Sequence, residues 1–194
     1  MENRILIIGD EILGDQGEAA NRFAELLLCR LPNRPIQFSI NAPAPQTMSQ
    51  LITRASSDII GKKAGRFIFA LGLKELKRGG ADYNRVFETY SQLTSEILNK
   101  TSSPIHFLTI PRDMFLLDPM QVGALNELIL SFRDVCPERV HIVDFASHVE
   151  LFKAKQLERG KFGRSLYTEE GHATSLCNTL LAVFLYEQII KELK

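Results

Sequence analysis

The chain has 194 residues, of which 45% are hydrophobic and 24% are charged. These proportions are ordinary for a folded protein, and the length predicts one domain, residues 1–194, that buries about 70% of its unfolded surface. Basic and acidic side chains number 23 each. The overall charge therefore gives no reason to expect a nucleic acid or an anionic membrane as a partner.

The first residues do not resemble a secretion signal. An apolar run that begins at Ile5 already stops at Gly9, and no apolar run approaches membrane-spanning length. Three cysteines lie in apolar helical patterns without metal-ligand spacing, which predicts buried, reduced thiols: Cys29, Cys136 and Cys177. We therefore expect a cytoplasmic protein with no metal or other cofactor.

The apolar pattern alternates between strands and helices along the chain. The continuously apolar run Ile5–Gly9 is typical of a buried parallel strand, and further apolar segments predict strands at Ile36–Ile40, Arg66–Gly72, Pro104–Ile110 and Val140–Phe145. Amphipathic patterns predict helices over Glu18–Leu31, Thr47–Ile60, Tyr83–Asn99, Gln121–Val135 and from Gly171 to the C-terminus. The polar stretch Ala146–Leu166 is predicted to be helical in part at most.

Five buried strands joined through helices predict a parallel sheet covered on both faces. The expected fold is an α/β, three-layer α/β/α flavodoxin-like sandwich with a five-stranded parallel sheet. Ligands and catalytic groups collect at the carboxyl ends of such strands. Two segments fit such a position: Gly9-Asp10-Glu11 after the first strand, and Glu169-Glu170-Gly171-His172 near the end of the chain.

These two segments resemble the first and last motifs of the SGNH (GDSL-type) hydrolases. That family begins with Gly-Asp-Ser, whose serine is the nucleophile, and ends with Asp-x-x-His, which supplies the base. The resemblance also follows the second, third and fourth strands and so covers nearly the whole chain. It implies the fold given above and assigns the positions of the catalytic triad to Glu11, Glu169 and His172.

The resemblance also implies where the oxyanion donors would lie. The family's Asn-x-Gly-x-x-Gly-x-Thr matches residues 41–47, so the donor glycine falls on Pro45, or on Ala44 in a shifted register. Proline has no N–H to donate. The family's Gly-x-Asn-Asp after the third strand matches Gly72–Glu75, with Lys74 in place of the donor asparagine.

These replacements argue against ordinary ester hydrolysis. Glu11 is an anionic, poor nucleophile that would repel an oxyanion, and loss of a triad serine costs on the order of a millionfold in turnover. Opposite charges predict an ion pair between Glu11 and Lys74 with His172 close to Glu11. Alternatively, both side chains point into solvent. In another register a nearby hydroxyl would replace the nucleophile: Ser39, Thr168 or Ser175.

Other features of the chain fit other kinds of site. Glu11, Glu169 and His172 have the chemistry of divalent-metal ligands, although a lysine nearby disfavours a cation. The basic segment 153–164 is typical of a solvated loop, or of a site for an anionic ligand or an acidic partner. The apolar segment 115–117 is expected to cover a pocket, to contact a protein partner, or to be buried against the body of the domain.

The N-terminal segment also resembles a second family. Residues 8–17 are similar to the start of the hydrogenase maturation endopeptidases, where a strand precedes Gly-Asn-x-x-x-x-Asp-(Asp/Glu)-Gly. The last acidic residue of that motif is a nickel ligand, and Gln16 stands in its place. The likeness covers roughly the first third of the chain.

The sequence thus predicts an SGNH-hydrolase-like protein with a degenerate site. It is either a non-catalytic protein that binds a small ligand or a protein partner in the former cleft, or an atypical esterase or acylhydrolase. In an atypical esterase or acylhydrolase, His172 and Glu169 would act as the base that activates another nucleophile or a water. The endopeptidase is a more distant alternative. A cleft plugged by Glu11, Lys74 and Pro45 favours the first function, and an open pocket holding His172 favours the second.

Overall fold

The computed structural model describes residues 4–14, 16–42, 47–77, 82–159 and 165–193. Within these residues, parallel strands form one sheet in the order β2-β1-β3-β4-β5: β1 Arg4–Gly9, β2 Gln37–Asn41, β3 Arg66–Ala70, β4 Ile105–Leu108 and β5 Val140–Val143. The α-helices are α1 Glu18–Arg30, α2 Met48–Thr53, α3 Ala55–Asp58, α4 Leu73–Lys77, α5 Tyr83–Lys100, α6 Pro119–Ser131, α7 Phe145–Glu158 and α8 Ser175–Leu193.

One face of the sheet is covered by α1 and α8. Strand register places Ile68, His106 and His141 side by side on this face, since laterally paired residues of a parallel sheet point the same way. Phe23 of α1 packs edge-on against Phe38 of β2, which belongs to the same face. Helix α8 packs along α1.

The other face is aromatic. Phe69 and Phe107 lie with ring centroids 5.9 Å apart, and Tyr90 of α5 packs on Phe107 at 5.0 Å. Phe132, just after α6, reaches the same ring at 5.8 Å. All four side chains are buried, and each contributes roughly 1.5–3 kcal/mol through its burial. The predicted three-layer, flavodoxin-like sandwich is confirmed.

Three elements differ from the sequence predictions. The helix predicted over Thr47–Ile60 is interrupted at Arg54, whose φ of −108° and ψ of 13° are not helical. The segment after β5, predicted to be helical in part at most, contains the 14-residue α7, which Asp144 caps through the N–H of the third residue. The last helix begins at Ser175 rather than at Gly171, whose φ of +80° belongs to a turn.

The prediction of three buried thiols is wrong for Cys29. This side chain is exposed, Cys136 is half-buried, and Cys177 alone of the three is buried; all three are free thiols. Cys29 follows the buried Leu27 by two residues. It therefore lies about 200° around α1 from the buried stripe.

In the described part of the chain, no helix combines the length and apolarity needed to cross a membrane.

Candidate functional site

The predicted site residues lie at the carboxyl edge of the sheet. Glu11 begins a short 3-10 turn directly after β1, and α4 begins three residues after β3 ends. The loop after β4 reaches the same edge through Phe115. His172 lies in the turn before α8. The strand ends thus bring segments from distant parts of the sequence to one place.

Asp10 holds the first turn of α4 against the end of β1. The side chain is 1% exposed. Its Oδ2 accepts the backbone N–H groups of Gly72 at 3.0 Å, Leu73 at 2.9 Å and Lys74 at 3.4 Å. The first N–H groups of a helix have no partner within the helix, so this carboxylate supplies one.

Burial raises the pKa of Asp10 to about 7. The nearby carboxylate of Glu75 raises the pKa further, whereas the backbone N–H and the charge of Lys74 lower it. The three N–H donors therefore do not offset the loss of water around this carboxyl group. Asp10 is a functional-site candidate that sequence reasoning passed over, although its position after a buried strand was a usable signal.

The predicted oxyanion positions are only partly described. Pro45 lies outside the described residues. Gly72 adopts a φ of +111°, and a Cβ there would meet Cδ2 of Leu125 at 2.8 Å, so the position requires glycine. Its N–H is donated to Asp10. Lys74 is half-buried and its charge acts on Asp10.

Glu11 has an ionic partner on α4 that the sequence did not predict. Its Oε1 lies 3.7 Å from Nζ of Lys77. Lys77 follows Lys74 by one turn of α4, so the family motif indicated the helix that supplies this cation. Oε2 of Glu11 is buried, and it has no hydrogen-bond partner among the described residues.

The lysine that pairs with Glu11 also contacts an aromatic ring. Nζ of Lys77 lies over the ring of Phe115, 3.8 Å from its centroid. The same ring packs edge-on against the imidazole of His172, with centroids 5.1 Å apart and planes at 77°. We call Glu11, Lys77, Phe115 and His172 the cleft stack. It joins two of the three predicted triad positions, Glu11 and His172, through a cation and a ring.

The loop that carries Phe115 is held in an unusual conformation. Phe115 and Leu116 have φ values of +57° and +52°, which non-glycine residues rarely adopt. The N–H of Phe115 donates to the carbonyl of Gly171 at 2.8 Å. Asn126 anchors the start of the loop, since its side-chain amide pairs with both backbone groups of Ile110 at 2.8 Å. Such strain persists where the surroundings hold it.

Thr168 closes the turn that carries Glu169 and His172. Its N–H donates to the carbonyl of His172 at 2.9 Å, and its Oγ1 accepts the N–H of His172 at 3.3 Å. Glu169 is exposed, and the described part of the chain offers its side chain no hydrogen bond or ion pair. The structure therefore brings Glu11 and His172 into one cluster and leaves Glu169 outside it.

The remaining candidates lie elsewhere or are occupied. The hydroxyl of Ser175 accepts a hydrogen bond from Arg22 at 2.9 Å, and Ser39 sits within β2 beside Leu6. Lys153, at the start of the basic segment, pairs with Glu150 at 3.1 Å; residues 160–164 lie outside the described ones. Among the described residues, no group of three His, Cys, Asp or Glu side chains is arranged to hold a metal.

Comparison of the sequence with family models and with curated proteins gave no match. Solved structures do match. An acetyl xylan esterase aligns with a TM-score of 0.71 and 13% identity over 96% of this chain and 99% of its own. A lipase/acylhydrolase from Enterococcus faecalis aligns with a TM-score of 0.75 and 10% identity over 99% of this chain and 97% of its own.

A third match is a member of the lipolytic protein G-D-S-L family from Veillonella parvula, with a TM-score of 0.70 and 16% identity over 97% of this chain and 98% of its own. The chain therefore has the fold of the SGNH hydrolases, and its structural neighbours are esterases and acylhydrolases of that class. Identities this low establish the fold alone.

Proposed function

We propose that this protein is a non-catalytic SGNH-hydrolase-like protein, whose former cleft binds a protein partner or a small ligand instead of hydrolysing an ester. The observation that carries the proposal is the cleft stack. Glu11 stands in the place of the nucleophile and, unlike serine, has no alcohol hydroxyl for a base to activate. Its carboxylate instead pairs with Lys77, 3.7 Å away.

The chemistry of acyl transfer supports this proposal. A general base must come within about 2.6–3.2 Å of the group whose proton it removes. At the nucleophile position Glu11 offers no alcohol hydroxyl to such a base, and its Oε1 lies 3.7 Å from Nζ of Lys77. The carboxylate of Glu11 would also repel a developing oxyanion. Both properties of Glu11 disfavour the triad mechanism.

Exposed apolar side chains next to the stack support binding of a protein partner. Leu116, which follows Phe115, is 73% exposed, and Met120 in the first turn of α6 is 80% exposed. Side chains of this kind are stabilised when a partner covers them. The partner would then contact the mouth of the cleft with an apolar surface.

An atypical esterase or acylhydrolase is the second candidate. His172 keeps the residue type that the family uses as a base, and it lies in the cleft stack with Glu11. In that case His172, aided by Glu169 or Glu11, would activate a water or another nucleophile. The two candidates predict opposite results in one assay.

The assay is hydrolysis of p-nitrophenyl acetate by the wild-type protein, by His172→Ala and by Glu11→Ser. We expect the wild-type rate to equal that of His172→Ala, because no nucleophile is activated. Glu170→Gln, at an exposed position in the same turn, is the matched control. A wild-type rate that falls roughly a hundredfold or more in His172→Ala and not in Glu170→Gln would support the esterase instead.

A further inference from the structure

A groove runs along the free edge of the sheet, apart from the cleft stack. It measures about 280 Å³ and follows all four residues of β5, between α8 and the helical turn after α6. His106 and His141, the second residues of β4 and β5, line it near the amino ends of these strands. Arg133 and Gln188 contribute the other polar side chains.

The ring of His106 is fixed by a buried arginine. A guanidinium nitrogen of Arg66 lies 3.1 Å from Nε2 of His106, and both side chains are buried. Because arginine only donates, Nε2 must accept and carries no proton. Nδ1 then carries the hydrogen and points to the carbonyl of Phe67 at 3.4 Å. These contacts hold the ring of His106 in one orientation.

His106 in turn orients His141. The two rings stack with centroids 4.9 Å apart and planes at 29°. The stack leaves the edge of the half-buried His141 ring, which carries both nitrogens, as a hydrogen-bonding group at the groove. A side chain positioned by stacking loses little further freedom when it binds a ligand.

The described lining of the groove carries charge of one sign. Among the described residues that line it, Arg133 is cationic, two are histidines and none is acidic. Arginine with imidazole and amide donors is a donor set suited to the oxygens of phosphate or carboxylate groups.

We propose that this groove is a binding site for a small oxyanion, a phosphate or a carboxylate, held by Arg133, His141 and the amide of Gln188. The anion would lie between the turn after α6 and α8, and it would complete the hydrogen bonding of His141. This site is independent of the cleft stack, so it stands whether or not the protein hydrolyses esters.

The test is titration of the full-length protein with inorganic phosphate, and separately with acetate, followed through the imidazole NMR signals of His141. We expect saturable shifts of these signals in the wild type. His141→Phe keeps the ring stack and removes the donor, and Arg133→Gln removes a charge-assisted contact. Each variant should weaken binding roughly tenfold. Because His141→Phe has no imidazole signal at this position, its binding is followed through the backbone amide signals of β5.

Arg30→Gln is the matched control, since Arg30 is an exposed arginine at the end of α1, and this variant should bind as the wild type does. Unchanged thermal unfolding of all variants excludes a loss of fold. Saturation by phosphate alone assigns the site to a phosphate-bearing ligand, and saturation by both anions assigns it to oxyanions in general. The proposal is overturned if neither anion saturates His141, or if both variants bind as tightly as the wild type.

Discussion

Asp10 is a carboxyl group that the fold removes from water. Its pKa rises from 3.8 to about 7 on folding, chiefly through burial. Below the lower value Asp10 is protonated in both the folded and the unfolded chain, and its contribution to stability is complete. As the pH rises towards about 7, the unfolded chain loses this proton first, so the free energy of unfolding falls.

Asp10→Asn should remove this dependence on pH. The amide oxygen still accepts the backbone N–H groups of α4, but the side chain does not ionise. We expect the wild type to lose stability relative to the variant between about pH 4 and pH 7, by up to about 4 kcal/mol. Urea unfolding at several pH values measures the difference.

Asp118→Asn is the matched control for this comparison. Asp118 also accepts a backbone N–H at the start of a helix, from Met120 at 2.9 Å, but it is exposed. Its replacement should therefore leave the pH dependence of stability close to that of the wild type. If the stability difference between the wild type and Asp10→Asn were the same at every pH, the burial argument would be wrong.

The ion pair of Glu11 and Lys77 contributes little to the stability of the fold. The two side chains keep 27% and 34% of their surface exposed. Ion pairs with this much solvent contact contribute up to about 1 kcal/mol.

Among the larger elements, the loop between β4 and α6 depends on the turn before α8. Gly171 accepts the N–H of Phe115 and adopts a φ of +80°. A Cβ on Gly171 would lie 2.6 Å from both Cα and N of Phe115. The turn that carries His172 and the loop that carries Phe115 can therefore approach this closely only around a glycine.

Gly171→Ala should destabilise the protein by about 2 kcal/mol or more, since it adds a backbone clash to an unfavourable φ. Gly123→Ala is the matched control: Gly123 lies within α6, and a Cβ there meets no atom within 4 Å. That change should stabilise by roughly 0.5–1 kcal/mol. Urea unfolding of the two variants distinguishes them, and equal effects would contradict the close packing at Gly171.

The sequence predicted strands better than short helices. Each of the five strands is a mainly apolar segment followed by a break in the pattern, and the structure has all of them within a few residues of the predicted ends. Helix α4 was missed because five residues, three of them charged, show no periodicity, and its first turn depends on Asp10 from another strand. The break at Arg54 likewise has no proline or glycine to mark it.

For the whole molecule, the order of the motifs along the chain predicted the fold better than the residues within each motif predicted the contacts of the site. The order of strands and helices and the resemblance to SGNH hydrolases predicted the fold, and the solved structures agree with it. The cleft stack was only half predicted. Glu11 and His172 follow from the motifs, whereas Lys77 and Phe115 reach them through tertiary contacts that no local pattern reports.

The central claim is that the former cleft holds no activated nucleophile. The most direct measurement is intact-mass spectrometry after treatment with a fluorophosphonate, which labels activated hydroxyls whatever the natural substrate. We expect no adduct on the wild-type protein. A single adduct on a residue such as Ser39, Thr168 or Ser175, absent in His172→Ala, would contradict the account and identify the protein as a hydrolase with a relocated nucleophile.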